Sequence, residues 1–135
     1  MIRIAFALMF ALTLAAATPA DAQEDPIQGV ISSQIEAFKA DDFETAWTYA
    51  SPMIQRLFGT PDRFGMMVRQ GYPMVWRPAE VTWLEQRAEG PFTNQDVLIR
   101  DADGAFHTLR YQMIQTENGW QINGVEFLQA PQAAA

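Results

Sequence analysis

The residues with the clearest potential for chemistry lie in the second half of the chain, in a row predicted for one face of a sheet. Strand alternation and turn positions place Glu85, Gln95, Tyr111 and Glu126 side by side in the wall of a pocket. A carboxylate in an apolar pocket has a raised pKa and can act as a general base. A buried tyrosine hydroxyl can stabilise an enolate oxygen. The row therefore supplies weak catalytic candidates for a proton-transfer enzyme: Glu85, Tyr111 and Glu126.

A structural interpretation competes with this catalytic one and is the one we favour. In it Glu126 faces solvent at the end of the sheet. Tyr111 is then a core residue whose hydroxyl is hydrogen-bonded by Gln95 or by a helix. The sequence therefore predicts no particular reaction, and it favours a role other than catalysis.

Further candidates for the pocket or its rim lie in a connector and in a hairpin. The stretch GYPMVWRP, residues 71–78, begins with a glycine that ends a helix, and its two prolines favour extended backbone before each of them. Tyr72 and Trp76 are predicted to anchor this crossing at the mouth of the pocket, with Arg77 at its rim. His107 lies close to a hairpin loop, a position also typical of a rim.

Composition excludes several classes of site. The chain has no cysteine and one histidine, which rules out thiol catalysis, thiolate metal sites and multi-histidine zinc sites. It has no phosphate-binding loop and no dinucleotide fingerprint, so neither a metal nor a cofactor is predicted. The formal net charge of −7 argues against nucleic acid and against an anionic membrane surface as partners.

The N-terminal segment has the pattern of a secretory signal peptide. A single arginine, an apolar run and an Ala-x-Ala site ending at Ala22 predict residues 1–22 as the signal, with cleavage before Gln23. The expected location is the periplasm or the exterior, by Gram-negative-type export, with no stable membrane insertion after cleavage. Residues 23–129 are predicted to form a single domain and residues 130–135 a disordered tail.

Helices are predicted before the connector and strands after it. Four capping positions, three of them followed by proline, mark the helix starts: Asp25, Asp42, Ser51 and Thr60. Four alternating segments separated by turn residues follow, at 81–88, 95–101, 105–116 and 120–128. Helices first and a meander second predict an α+β domain, with the helices packed on one face of a curved four-stranded antiparallel sheet.

The turns fix a predicted register for this sheet. A three-residue loop ending at Gly104 pairs Gln95 with Tyr111 and sets Asp96 opposite Arg110. A two-residue turn at residues 118–119 then pairs Tyr111 with Glu126. This register puts one apolar set under the helices: Val81, Trp83, Val97, Ile99, Leu109, Tyr111, Met113, Trp120 and Ile122. It leaves a mixed outer face that a second copy of the chain could cover: Leu98, Arg110, Gln112, Ile114, Val125 and Phe127.

Several motifs together resemble a known bacterial family. The stretches QIEAFKADDFETAWTYASP, FGTP, GYPMVWRP and the late GW-x-I-x-GV are similar to the domain-of-unknown-function family numbered 4864, over nearly the whole chain after residue 22. The residues that carry the resemblance are Gln34, Ala37, Phe38, Asp42, Ala50, Ser51, Pro52, Phe58, Gly59, Tyr72, Pro73, Pro78, Trp120 and Gly124. The layout also resembles the nuclear transport factor 2-like superfamily. That resemblance implies a cystatin-like cone with a pocket, and it assigns no activity and no catalytic residue.

Three functions stay open at the level of sequence. The first is a secreted binding domain that holds a small ligand or a protein partner in its cone pocket or on its outer sheet face. The second is a proton-transfer enzyme of isomerase, cyclase or dehydratase type that uses a pocket carboxylate and Tyr111. The third is a structural homodimer joined through the outer sheet face.

Overall fold

The computed structural model describes residues 25–128, so the predicted signal peptide and the predicted tail lie outside the described residues. The helices are α1 (Pro26–Lys39), α2 (Phe43–Thr48), α3 (Pro52–Phe58), α4 (Pro61–Gly71) and α5 (Pro73–Trp76). The strands are β1 (Pro78–Glu89), β2 (Phe92–Asp101), β3 (Phe106–Thr116) and β4 (Gly119–Leu128). They form one antiparallel sheet in the order β1-β2-β3-β4. The predicted α+β class and meander are confirmed.

The helices begin where the capping residues predict. The Asp25 carboxylate accepts hydrogen bonds from the backbone N–H groups of Ile27 and Gln28. The side chains of Asp42, Ser51 and Thr60 each accept one such bond at the start of α2, α3 and α4. Because these bonds satisfy otherwise unpaired N–H groups, each short helix has a defined first turn.

The connector differs in part from its prediction. Tyr72 and Arg77, the residues before the two prolines, have φ values of −135° and −140° and leave the helical region, as expected. Between them residues 73–76 form the helical turn α5, which the sequence did not predict. Proline is well suited to the first position of such a turn. The turn buries Met74 and Val75, and this burial keeps the connector against the domain.

The central hairpin has the predicted register. Gln95 lies opposite Tyr111, and Asp96 opposite Arg110. Gly104 has a φ of +86°, which fits the left-handed position of the predicted three-residue loop. The inward-facing large apolar residues of β2 and β3 are fully buried, and they are Val97, Ile99, Leu109, Tyr111 and Met113.

The predicted register of the last hairpin is wrong, by two residues next to the turn and by one residue beyond Asn123. Thr116 pairs with Gly119, and Tyr111 pairs with Val125 rather than with Glu126. A two-residue hairpin turn of the Asn-Gly kind needs positive φ at both central residues. Gly119 has a φ of +90° but Asn118 does not have a positive φ, so the turn is centred one residue earlier. A bulge at Asn123 then leaves the strand one residue out of the predicted phase.

This shift exchanges the two faces of β4 beyond the bulge. Val125 and Phe127, predicted on the outer face, lie opposite the inward-facing Tyr111 and Leu109. Glu126 lies on the outer face instead, opposite Arg110. The outer face therefore loses two of the four apolar side chains on which the homodimer prediction depended.

The core lies between the inner face of the sheet and the helices, chiefly α1. Ile31, Ile35 and Phe38 of α1 are buried against the sheet, and Phe38 meets Phe64 of α4 with ring centroids 5.8 Å apart. Val81, Trp83 and Trp120 pack against this core as predicted, although each stays partly exposed. In the described part of the chain, no helix is both long and apolar enough to cross a membrane.

Candidate functional site

The predicted catalytic row does not form. A bulge in β1 sets Gln86, not Glu85, opposite Gln95. Glu85 lies on the outer face, where its carboxylate accepts a hydrogen bond from Arg87 at 2.9 Å. Glu126 is on that face as well, with its carboxylate 3.9 Å from the guanidinium of Arg110. Neither carboxylate can share a pocket with Tyr111, which points the other way.

Tyr111 is sealed inside the core. Its side chain is fully buried, and its hydroxyl is the one buried side-chain polar atom among residues 25–128 without a hydrogen-bond partner. Burial raises the pKa of Tyr111, because ionisation would place a phenolate in an apolar medium. A neutral hydroxyl out of reach of a carboxylate gives no support to acid–base chemistry at this position.

Gln95 has a structural task that its position in the sequence did not reveal. Its Nε2 donates to the carbonyl oxygens of Leu84 and Asp96, at 3.3 and 2.8 Å, and approaches that of Glu85 at 3.4 Å. Its Oε1 accepts from the Nε2 of Gln86 at 2.9 Å. Leu84 and Glu85 are the bulged residues of β1, so the buried amide of Gln95 satisfies the backbone groups that the bulge releases from the ladder.

His107 lies at the hairpin end, opposite Ile99, and its side chain is partly buried. Its Nε2 is 2.8 Å from the carboxylate of Asp101, and this hydrogen bond lowers the pKa of that carboxyl. The other oxygen of Asp101 accepts from the N–H groups of Asp103 and Ala105. Asp101 and His107 thus stabilise the loop between β2 and β3. Nowhere in residues 25–128 do three histidine, aspartate or glutamate side chains group as metal ligands would.

Trp76 and Arg77 belong to a surface cluster on the helical side. The guanidinium of Arg77 lies 3.9 Å from the centroid of the Trp76 ring, and that of Arg69 lies 4.8 Å from it. The Asp41 carboxylate accepts hydrogen bonds from the indole N–H of Trp76 and from Arg77. Both contacts lower the pKa of this carboxyl, and the bond from the indole has the larger effect. Because Arg77 already has a carboxylate partner within the chain, this cluster is best explained as an anchor of the connector.

A pocket of about 200 Å³ lies under α3 and α4, and because its lining is mainly apolar we call it the apolar pocket. Tyr72 is the one predicted pocket residue that lines it. None of its lining residues carries a charge. They come from α1, the loop between α2 and α3, α3, α4, the connector and β4: Gln34, Phe38, Ala50, Ile54, Leu57, Phe58, Phe64, Met67, Val68, Tyr72, Val75, Ile122, Gly124 and Val125.

The bulge of β4 positions the helix that covers the pocket. The backbone N–H of Ser51 donates to the carbonyl of Ile122 at 2.8 Å, and the Ser51 Oγ donates to Asn123 Oδ1 at 2.8 Å. The same Oγ caps α3 by accepting from the N–H of Ile54. Asn123 in turn donates to Gln112 on β3. The start of α3 is therefore fixed to the sheet by buried hydrogen bonds.

The rest of α3 packs on the core through Ile54 and Phe58 but stays partly exposed along its length. The helix has seven residues, and none of them is buried, although four are large and apolar. Leu57, which lines the pocket, is 70% exposed. Opposite, Tyr72 stacks on Phe127 and donates from its hydroxyl to the carbonyl of Val125 at 3.1 Å. The mouth of the pocket is therefore apolar and open to solvent.

Most of this pocket was missed from sequence. The strand register directed attention to the sheet, whereas eight of its fourteen lining residues come from α1, α3 and α4. One signal was present: Met53, Ile54, Leu57 and Phe58 form a broad apolar stripe on a helix of only seven residues. Gln34, a polar residue on the apolar stripe of α1, was the second such signal.

The fold and the pocket define a small α+β domain with its helices across one face of an antiparallel meander. The chain belongs to the family described as "Domain of unknown function (DUF4864)", whose model matches residues 20–135. The resemblance found in the motifs is thereby confirmed. No curated protein matches the sequence.

Solved structures with a similar fold share little sequence with the chain. A SEC-C motif containing protein from Rhodopseudomonas palustris has a TM-score of 0.54 at 17% identity, over 74% of this chain and 77% of that one. The intermembrane space region of the chloroplast protein ARC6 has a TM-score of 0.50 at 14% identity, over 80% and 99%. An NTF-2 like protein of unknown function from Burkholderia xenovorans LB400 has a TM-score of 0.46 at 16% identity, over 79% and 88%. At these identities the likeness concerns the fold alone.

Proposed function

We propose that the protein is an exported domain that binds a compact, uncharged, apolar ligand in the apolar pocket. The observation that carries this proposal is the lining itself, which combines a preformed concavity with side chains that are all uncharged. Filling an apolar concavity that is open to water with an apolar group is favourable, because it removes apolar surface from water.

The size of the pocket limits the ligand. Pockets for drug-sized molecules usually have volumes of about 300–1,000 Å³, while a dry cavity of about 150 Å³ accepts benzene. At about 200 Å³, the apolar pocket suits a single substituted ring or a short acyl chain. For a ligand of about seven heavy atoms, burial of its apolar body alone then gives a Kd of about 0.1–1 mM.

Toluene is a direct probe of this proposal. Titration into the purified full-length protein should shift the methyl NMR signals of Ile54, Leu57 and Met67 in a saturable manner. The variant Val68→Phe should abolish these shifts, because the added ring occupies the pocket that Val68 lines. Val81→Phe is the matched control, since Val81 is a half-buried valine on β1 that does not line the pocket. Shifts that are absent, or equal in both variants, contradict the proposal.

Export is the second part of the proposal, and it is supported by the sequence pattern of residues 1–22. N-terminal sequencing of the protein recovered from the periplasm or medium of a Gram-negative host should begin at Gln23. Retention of Met1 in a cytoplasmic fraction would overturn this part without affecting the ligand proposal.

Self-association is a second candidate function, favoured by the exposed apolar side chains at the mouth of the pocket. Leu57 and Phe127 keep 70% and 51% of their surface exposed. A second copy that covered them would bury apolar area at little desolvation cost. Sedimentation should then show a dimer that Leu57→Glu dissociates, whereas Leu98→Glu on the outer sheet face does not. A monomer at high concentration contradicts this candidate.

A further inference from the structure

The one buried side-chain amide of the apolar pocket is Gln34, and its geometry gives the ligand a chemical class. Gln34 lies on the inward face of α1 and is 3% exposed, yet it lines the pocket. Its Nε2 donates to the carbonyl oxygen of Ala46 at 3.2 Å. A carbonyl oxygen can only accept, so the group that faces it must be the NH2, and this assigns the orientation of the amide.

The Oε1 of Gln34 is consequently free to accept from a ligand. No donor among the described residues bonds to this oxygen, whereas the only sealed side-chain atom without a partner is the hydroxyl of Tyr111. The oxygen of Gln34 therefore keeps contact with the pocket. An apolar ligand that fills the pocket takes this oxygen out of water, whereas a ligand that donates a hydrogen bond to it avoids the cost of leaving it unpaired.

Among the described residues that line the pocket, Gln34 is the polar side chain that can select between ligands by a hydrogen bond. The hydroxyl of Tyr72 is already committed as a donor to the carbonyl of Val125. No cationic side chain lines the pocket, so a carboxylate would enter with its charge uncompensated and would face the lone pairs of an acceptor.

We propose, on the basis of the ligand-binding function above, that the ligand is a neutral alcohol or phenol that enters hydroxyl first and donates its O–H to Gln34 Oε1. The apolar body of the ligand then fills the space between α3, α4 and β4. A molecule of the same shape without the hydroxyl gains only the burial of its body.

Phenol, toluene and benzoate, titrated by NMR into the full-length protein and into Gln34→Leu, test this inference. In the parent protein phenol and toluene both bind and benzoate does not. The substitution should weaken phenol about 5- to 15-fold, the value of one hydrogen bond, and change toluene by less than about 2-fold. Toluene also reports whether the pocket of the variant is intact.

A second comparison needs no variant, so it remains decisive if Gln34→Leu does not fold. Anisole has the phenol oxygen but cannot donate, and its methyl group makes it less soluble in water. We expect phenol to bind the parent protein more tightly than anisole. Tighter binding of anisole, or an equal effect of Gln34→Leu on phenol and toluene, overturns the inference while the ligand-binding proposal stands. Absence of binding by all of these molecules overturns both.

Discussion

Tyr72 and Phe127 stack face to face, with ring centroids 5.0 Å apart and planes inclined by 3°. Tyr72 belongs to the connector between α4 and β1, and Phe127 lies near the end of β4. The hydroxyl of Tyr72 also donates to the carbonyl of Val125. One side chain thus joins the helical half to the last strand, at the mouth of the apolar pocket.

Phe127→Ala should lower the free energy of unfolding by about 0.5–1.5 kcal/mol, because an aromatic pair is worth about that much beyond simple burial. Phe106→Ala is the matched control, since Phe106 is 66% exposed and forms no ring pair with a described residue. Its substitution should change the stability by less than about 0.5 kcal/mol. Denaturant unfolding of the two variants measures the difference. Equal losses would mean that the stack contributes nothing.

Tyr72 and Tyr111 should respond oppositely to loss of the hydroxyl. Tyr72→Phe removes a hydrogen bond and should cost about 1 kcal/mol. Tyr111→Phe removes a buried hydroxyl without a partner, so stability should stay constant or rise by about 1 kcal/mol. Thermal and denaturant unfolding compare these variants with the parent. A clear loss for Tyr111→Phe would reveal a partner for its hydroxyl, and the sealed environment assigned to it would be wrong.

The elements that were predicted correctly depend on local chemistry. An N-cap followed by proline satisfies N–H groups within one turn of the chain, so Asp25, Ser51 and Thr60 mark helix starts without any tertiary information. The loop before Gly104 likewise has a single favourable geometry, and it fixed the register of β2 against β3. The cross-strand pair of Asp96 and Arg110 supports the same register.

The candidate site failed where register depends on contacts distant in sequence. Asn123 can be bulged because Ser51 and Gln112 bond its side chain, and neither is near it in sequence. The bulge in β1 is stabilised from the neighbouring strand by Gln95. Two bulges were enough to carry Glu85 and Glu126 to the outer face, because side chains alternate with a period of two. The pocket is built from separate helices, and the signals in α1 and α3 did not show that these helices meet around it.

Acid should weaken the hairpin loop between β2 and β3 through Asp101. The hydrogen bond with His107 lowers the pKa of the Asp101 carboxyl in the folded state below its ordinary value of 3.8. A carboxyl with a lowered folded pKa contributes stability above its unfolded pKa and loses it as the pH falls through the folded value. The contribution should therefore be complete well above pH 3.8 and be lost as the pH falls below that value.

The carboxyl signal of Asp101 in a ¹³C NMR titration measures this pKa directly. His107→Ala should raise the pKa towards its ordinary value, because the largest cause of the shift is removed. Asp101→Asn is the control for the conformation of the loop. It removes the ionisable carboxyl, but its amide oxygen can still accept from the N–H groups of Asp103 and Ala105. An Asp101 pKa that is the same with and without His107 would show that this contact does not perturb the carboxyl.

Two glycines of α4 should respond in opposite ways to alanine. A Cβ on Gly65 would overlap the Cγ of Phe43 on α2, an atom too close to the backbone to turn aside, whereas a Cβ on Gly71 would meet nothing within 4 Å. Gly65→Ala should therefore destabilise the protein by about 1–3 kcal/mol. Gly71→Ala should be neutral or stabilise it by up to about 1 kcal/mol, as expected for the better helix former.

A double-mutant cycle separates the packing of Gly65 from its helix propensity. In a Phe43→Ala background the obstructing ring is absent, so Gly65→Ala should no longer cost stability and should gain what Gly71→Ala gains. Denaturant unfolding of the four proteins gives the coupling energy between the two sites. A cost for Gly65→Ala that persists without the ring would mean that the close approach of α2 and α4 is limited elsewhere than at Phe43.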